Sequence, residues 1–273
     1  MPTKKTVPKK KLLPKSMQPM LATLVDKPFD KEGWLYEVKW DGYRALAVID
    51  NGKVSLLSRN NKSFNEKFYP ITEQLKKLKK KMIIDGEVVV LNDRGISDFG
   101  SLQNWRSEAD GQLYYYVFDI LWLEDKELIT LPLTERQKIL RKTIKEQGSV
   151  RISQAFEESG LEFFETAKRM GLEGIMAKKK DSAYLPGLRS NDWLKIKSNQ
   201  RQEMVIGGYT INDDTAKQFS SLLVGVFDGK KLRYTGKVGT GFNDATQKAI
   251  LQKLKPLLTD KPAFEEIPDI NKP

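Results

Sequence analysis

Residues 34–44 read Trp34-Leu35-Tyr36-Glu37-Val38-Lys39-Trp40-Asp41-Gly42-Tyr43-Arg44. Side chains alternate along a strand, so Glu37 and Lys39 share one face while Val38 takes the other. Asp41-Gly42 turns the chain and leaves Lys39 near a strand end, where a ligand can approach. An amine placed there becomes a nucleophile when burial or neighbouring cations lower its pKa. Taken alone, Lys-x-Asp-Gly is a short pattern that chance supplies readily, and a solvated hairpin lysine is its commoner occurrence.

The strand pattern continues outward from this stretch. Tyr43 to Ile49 is rich in β-formers, and Asn51-Gly52 predicts a tight hairpin into Val54 to Leu57. Phe64, Phe68, Ile71, Leu75 and Leu78 recur at helical spacing, with Ser63 as cap and Pro70 inside. Strands are expected at Met82–Leu91, Leu113–Leu123, Leu172–Lys178 and Asp192–Lys197, and helices at Thr134–Glu146 and Glu158–Met170. Ser198–Gln202 is a polar break. Beyond it three strands, Glu203–Tyr209, Ser221–Phe227 and Leu232–Val238, precede a helix at Asp244–Lys255. Consecutive strands joined by hairpins imply an antiparallel α+β domain followed by a small β-barrel-like domain.

Composition narrows the chemistry. The chain of 273 residues lacks cysteine and histidine, so disulfides, thiolate zinc sites, cysteine nucleophiles and imidazole bases are excluded. A net charge of +11, from 47 basic and 36 acidic residues, suits a polyanionic partner such as nucleic acid. Residues 1–16 contain six lysines, three prolines and no acid, which reads as a flexible basic tail. No apolar run is long enough to span a membrane, and no signal peptide is evident.

Two further groups could handle phosphates. In Trp193-Leu194-Lys195-Ile196-Lys197 the two lysines share a face, as a triphosphate would require. An amphipathic edge strand with solvated lysines fits the same pattern. Asp85 and Glu87 flank Gly86 inside a β-rich run, where a glycine suggests close approach of a ligand or another backbone. With Glu173, these carboxylates could bind magnesium or simply end strands in salt bridges.

Taken in order, the segments resemble those of ATP-dependent DNA ligases and related covalent nucleotidyltransferases. The series is Lys39-Trp40-Asp41-Gly42 with Arg44, Ser58-Arg59-Asn60, Asp85-Gly86-Glu87, Phe118-Asp119-Ile120, Glu173-Gly174-Ile175-Met176 and Trp193-Leu194-Lys195-Ile196-Lys197. Met20-Leu21-Ala22, Gly207-Gly208-Tyr209 and Gly236–Gly241 resemble the ligase module of bacterial multifunctional end-joining ligases. The resemblance implies a nucleotidyltransferase domain at 18–199 after the tail at 1–17, then an OB-fold at 200–273. It also implies ATP, carried as AMP on Lys39, and Mg2+ or Mn2+. By the same resemblance Glu37 meets the adenine edge, Phe118 stacks on its face, and Arg44 and Arg59 meet phosphate or sugar. Glu87 touches ribose or metal, Glu173 binds metal, and Arg189, Lys195 and Lys197 contact the nucleotide. The implied partner is nicked or broken duplex DNA, handled by a monomer at the nucleoid in the bacterial cytoplasm, with a Ku-like protein and attached polymerase and phosphoesterase modules.

The resemblance also marks departures. No large helical DNA-binding domain precedes the core, and the stretch up to Pro273 lacks the basic motif that orients pyrophosphate in such ligases. An incomplete OB-fold and a weak first chemical step are therefore expected. The alternatives are an RNA ligase, a capping-type nucleotidyltransferase, or a nucleic-acid-binding module without chemistry.

Overall fold

The computed structural model describes residues 12–157, 159–198, 203–211 and 218–266. The chain divides into two compact units, Met1–Asn199 and Gln200–Pro273. The basic tail through residue 11, the junction at 199–202, Glu158 at the expected helix start and residues 267–273 lie outside the described residues.

In the first unit the elements run β1 (Leu21–Val25), β2 (Trp34–Val38), β3 (Tyr43–Asp50), β4 (Lys53–Ser58), α1 (Tyr69–Leu75), β5 (Met82–Val90), α2 (Phe99–Asn104) and β6 (Leu113–Leu123). They continue with β7 (Lys126–Glu127), α3 (Leu133–Thr143), β8 (Val150–Ile152), β9 (Ala155–Phe156), α4 (Gly160–Arg169), β10 (Gly174–Lys179) and β11 (Arg189–Lys197). They form two sheets, ordered β1-β11-β10-β2-β9 and β4-β3-β5-β6-β7, with β8 added beside β6. Most neighbours are antiparallel, as expected. Two pairs, β1 with β11 and β8 with β6, are parallel.

The sheets pack face to face. Leu46, Val48, Ile83, Leu121 and Trp122 of one meet Leu35 and Trp193 of the other. Alternation sends Ala45, Ala47 and Ile49 to the opposite face, where Ile71, Leu75, Leu102 and Leu140 from α1, α2 and α3 cover them. Helix α4 covers the outside of the smaller sheet through Phe164 and Ala167. Each fully buried aliphatic or aromatic side chain contributes about 1.5–3 kcal/mol of transfer free energy.

The helix expected over residues 64–78 is shorter than its periodicity suggests. Pro70 lies in the first turn of α1 and Ser63 instead bridges to Leu57. Proline lacks the N–H that a helix interior needs but fits the first turn, so it starts the helix. Asn51 and Gly52 both take positive φ, as the hairpin expected there demands. A buried guanidinium joins three segments: Arg136 donates twice to Asp119 of β6 at 2.8 Å, and to the carbonyls of Leu131 and Ser182. These four hydrogen bonds offset the desolvation of this pair.

In the second unit β12 (Val205–Thr210), β13 (Ser221–Asp228) and β14 (Lys231–Val238) form an antiparallel sheet, followed by α5 (Asp244–Leu254). Asn243 caps α5 reciprocally with Thr246. Phe219, Leu222 and Val224 form its core with Tyr209, Phe242 and Ile250. A Cβ on Gly207 would come within 2.4 Å of the Phe264 ring, so this glycine makes room for that aromatic. The architecture is the expected one: a mostly antiparallel α+β domain, then a small β domain.

Candidate active site

A cleft in the first unit gathers Glu37, Lys39, Arg44, Arg59, Glu87, Phe118, Arg189 and Lys195, eight of the residues singled out from sequence. Cross-strand register explains the convergence. Arg44 of β3 stands opposite Glu87 of β5, and Glu37 of β2 opposite Met176 of β10, which in turn faces Lys195 of β11. Lys39 follows the end of β2, its backbone N–H donating to Gly174 O at 3.0 Å. Gly42 is required here: a Cβ would lie 2.1 Å from Val88 O, so only glycine lets the chain turn into β3 at this point.

Glu173 and Lys197 are not among the residues lining the cleft, yet they belong to the same cluster. Glu173 accepts from Lys39 Nζ through one oxygen and lies 3.1 Å from Lys197 Nζ through the other. The Lys39 amine is thereby held beside a carboxylate and near other cations. The Lys195 ammonium has a lowered pKa, through burial first and then the charges of Lys39, Arg189 and Lys197. Such a cluster of cations is built to receive an anion.

Glu87 is held up to a pKa of about 8 by burial, against the pull of Arg44 and Lys39. Asp85 has no exposure and binds Arg44 through two hydrogen bonds of 2.6 Å, with Tyr184 donating to it as well. Burial acts to lower the Arg44 pKa, but Asp85 outweighs it and the net shift is upward. Asp85 therefore anchors Arg44. A Cβ on the neighbouring Gly86 would lie 2.6 Å from the Tyr115 ring and 2.6 Å from Tyr116 O, so the close neighbour suspected from sequence is part of the protein itself.

At the deep end, Glu37 is 1% exposed. Gln137 Nε2 donates to one of its oxygens at 2.9 Å and Lys178 Nζ to the other at 2.7 Å. Burial raises the Glu37 pKa and Lys178 opposes that rise. Lys178 also stands 4.2 Å from the Phe118 ring centroid and 4.4 Å from that of Trp193, while Arg44 lies 4.5 Å over Phe118. Phe118 thus enters the cleft with cations already on its ring. Trp193 is buried, and its indole N–H lacks a hydrogen-bond partner among the described residues.

Sequence reading missed Lys178, Gln137, Trp193 as a cleft residue, and Tyr184. For Lys178 a signal existed: it lies two residues past Met176, on the same strand face. Gln137 gave none, because its link to Glu37 spans 100 residues.

The carboxylates also bear on a metal. Among the described residues no three acidic side chains converge on one point. Mg2+ needs no such cage, since it ordinarily takes one or two carboxylates, waters and substrate phosphates. Glu173, with phosphates beside it, is chemically suited to that arrangement.

Comparisons with known proteins place the chain in a family. The family model of the ATP dependent DNA ligase domain matches residues 19–197, and that of the ATP dependent DNA ligase C terminal region matches 215–273. The chain is 36% identical over 263 residues to the multifunctional non-homologous end joining protein LigD of Pseudomonas aeruginosa, covering 94% of this chain and 31% of that protein. It is 31% identical to DNA ligase C1 of Mycolicibacterium smegmatis, covering 88% of this chain and 73% of the relative. A solved mycobacterial DNA ligase D complexed with ATP and MES superposes with a TM-score of 0.64 at 32% identity, over 93% of this chain and 82% of that one. The chain spans about a third of the length of the LigD proteins it matches. With a family match across most of its length and relatives of this identity, the chain belongs to the ATP-dependent DNA ligases.

Proposed function

We propose that this chain seals breaks in duplex DNA in three phosphoryl-type transfers. In the first, Lys39 Nζ attacks the α-phosphorus of ATP, an N–P bond forms and pyrophosphate leaves. In the second, a 5′-phosphate oxygen of DNA attacks that phosphorus, the N–P bond breaks and the lysine is released. In the third, the 3′-hydroxyl attacks the 5′-phosphate and AMP departs. The observation that carries this reading is Lys39 standing among Arg44, Arg59, Arg189 and Lys195 in one cleft, tethered by Glu173. Every step builds negative charge on phosphate oxygens, and fixed cations stabilise such charge best in a partly desolvated site.

Position supports the following roles. Glu37 and Phe118 receive the base at the deep end. Arg44, Arg59 and Glu87 face sugar and phosphate. Arg189, Lys195 and Lys197 take phosphate charge, and Glu173 orients the Lys39 amine. Glu173, assisted by Glu87, would hold Mg2+ or Mn2+, whose chemistry here is to neutralise phosphate charge. We assign nucleotide transfer to residues 18–199 and a DNA-gripping role to the OB-like region, 200–273. We further propose that the work is end joining in the bacterial cytoplasm, at the nucleoid, by a monomer alongside a Ku-like end-binding protein and polymerase and phosphoesterase activities. LigD, the multifunctional end-joining protein, is the relative that supports this context.

Intact mass measured after incubation with ATP and Mg2+, and separately with GTP, tests the first step. A gain of one AMP that is lost on adding nicked DNA supports the reading. A gain from GTP, or discharge only onto nicked RNA, supports a capping or RNA-sealing enzyme. DNA binding without any covalent nucleotide overturns catalysis.

A further inference from the structure

The residues that floor the nucleotide cleft belong to a row that continues past it. Arg44 stands opposite Glu87, Glu87 opposite Tyr116, and Tyr116 opposite Arg151 of β8. Register partners point to the same sheet face, and adjacent strands lie about 4.8 Å apart. Tyr116 and Arg151 are therefore roughly 10 and 14 Å along the row from Arg44.

That extension has its own construction. The Trp40 indole lines the cleft and stacks on the Tyr116 ring, with centroids 3.8 Å apart and planes inclined by 16°. Trp40 Nε1 donates to Ser153 Oγ at 3.2 Å, which fixes the ring's orientation. Tyr114 flanks Tyr116, and the Arg151 guanidinium lies 5.3 Å over Tyr114. All three aromatic side chains are only partly buried, although Tyr114 and Tyr116 lie in β6 and Trp40 follows β2. Arg151 spends one nitrogen on the carbonyls of Gly148 and Val150 and forms no ion pair among the described residues. The nearby Glu146 carboxylate accepts from the Ile152 N–H. A rigid aromatic stack beside a cation with free donors fits a nucleotide, the rings taking the base or sugar and the guanidinium a phosphate.

We propose that Trp40, Tyr114, Tyr116 and Arg151 form a docking platform for the terminal nucleotide of the DNA strand beside the break. It rests on the ligase reading above, because that strand must reach Lys39 from outside the nucleotide cleft. The platform lies along the same sheet, immediately past that cleft.

The test is single-turnover sealing of a pre-adenylated nicked duplex. The terminal base is left intact, removed on the 3′-hydroxyl side, or removed on the 5′-phosphate side. Base removal on one of the two sides should slow the unmodified protein by roughly tenfold or more. Tyr116→Leu should be slow on the intact nick and should lose little more when that base is removed. Tyr116→Phe should behave as the unmodified protein, and Arg151→Gln should lower the salt slope of binding by about one. AMP attachment from ATP without DNA should be unchanged in all three variants. Indifference of the unmodified protein to base removal on both sides overturns the platform, and this arm needs no variant to fold. So does a Tyr116→Leu protein that is penalised by base removal as strongly as the unmodified one. If the unmodified protein seals no nick at all, the ligase reading falls and takes the platform with it. If it seals and only the base dependence is missing, the platform alone falls.

Discussion

Lys178 Nζ sits 2.7 Å from Glu37 Oε2, and neither side chain is more than 2% open to solvent. A buried pair of this kind is held together largely by the cost of separating it. Removing one partner leaves the other charge without compensation, whereas removing both charges costs far less. Lys178→Met should therefore destabilise the first unit by about 3–5 kcal/mol. Lys178→Met combined with Glu37→Gln should recover a substantial part. Denaturant midpoints for the two variants check this, and equal midpoints would count against the pairing.

Glu87 gives a pH signature. Its pKa rises from an ordinary 4.5 to about 8 in the folded protein, chiefly through burial. Between those values the folded state binds more protons than the unfolded state, so stability falls as pH rises across the window. Below about 4.5 both states are protonated and above about 8 neither is, so the full cost is present only on the alkaline side. Glu87→Gln should match the unmodified protein near pH 4 and exceed it in melting temperature near pH 9. Parallel melting curves across this range would mean that Glu87 is solvated.

Lys39→Ala should abolish covalent AMP while leaving the melting temperature within a few degrees. Peptide mapping of the unmodified protein should place AMP on Lys39. Label on Lys195, with Lys39→Ala still active, would reassign the nucleophile.

Glu173→Ala should lose far more activity than stability. Its ion pairs with Lys39 and Lys197 are partly solvated, and each such pair typically contributes within about 1 kcal/mol. On the proposed mechanism, orienting Lys39 and accepting metal are needed at each turnover. Sealing rates at limiting Mg2+ decide the matter, since a normal rate there removes both roles.

DNA affinity should fall steeply with salt and show little preference among duplex sequences, because phosphate contacts dominate. Deleting residues 1–16, which carry six lysines, should flatten the salt dependence. Binding isotherms across a salt series, with and without that tail, give the comparison.

The local parts of this structure were readable because strand alternation and turn chemistry act over a few residues. Asn51-Gly52, the long β6 and the shared face of Glu37 and Lys39 all follow from neighbours in sequence. Parallel pairing of β1 with β11 was not readable. Leu21–Val25 is partly exposed, lacks clean alternation, and finds its partner about 170 residues away. Among the site residues, the motif lysines and acids stood out through their order along the chain. Their attachments did not: Gln137 and Lys178 on Glu37, or Tyr184 on Asp85, exist only once distant segments meet. Pro70 misled in the opposite direction, since the apolar spacing around it runs through a helix start.

The three segments tied by Arg136 limit where this chain can be cut and rejoined. Opening the backbone near Leu131 or Ser182 would free a carbonyl from a guanidinium that is wholly out of water, and the loosened end would pull on β6 beside Phe118. Among the described residues the exposed turn at Asn92–Gly95 bears no such tether and closes only on itself. A circular permutant with new termini there should keep the cleft intact, whereas one opened at Leu131 should distort the cleft around Phe118 before it loses its sheets.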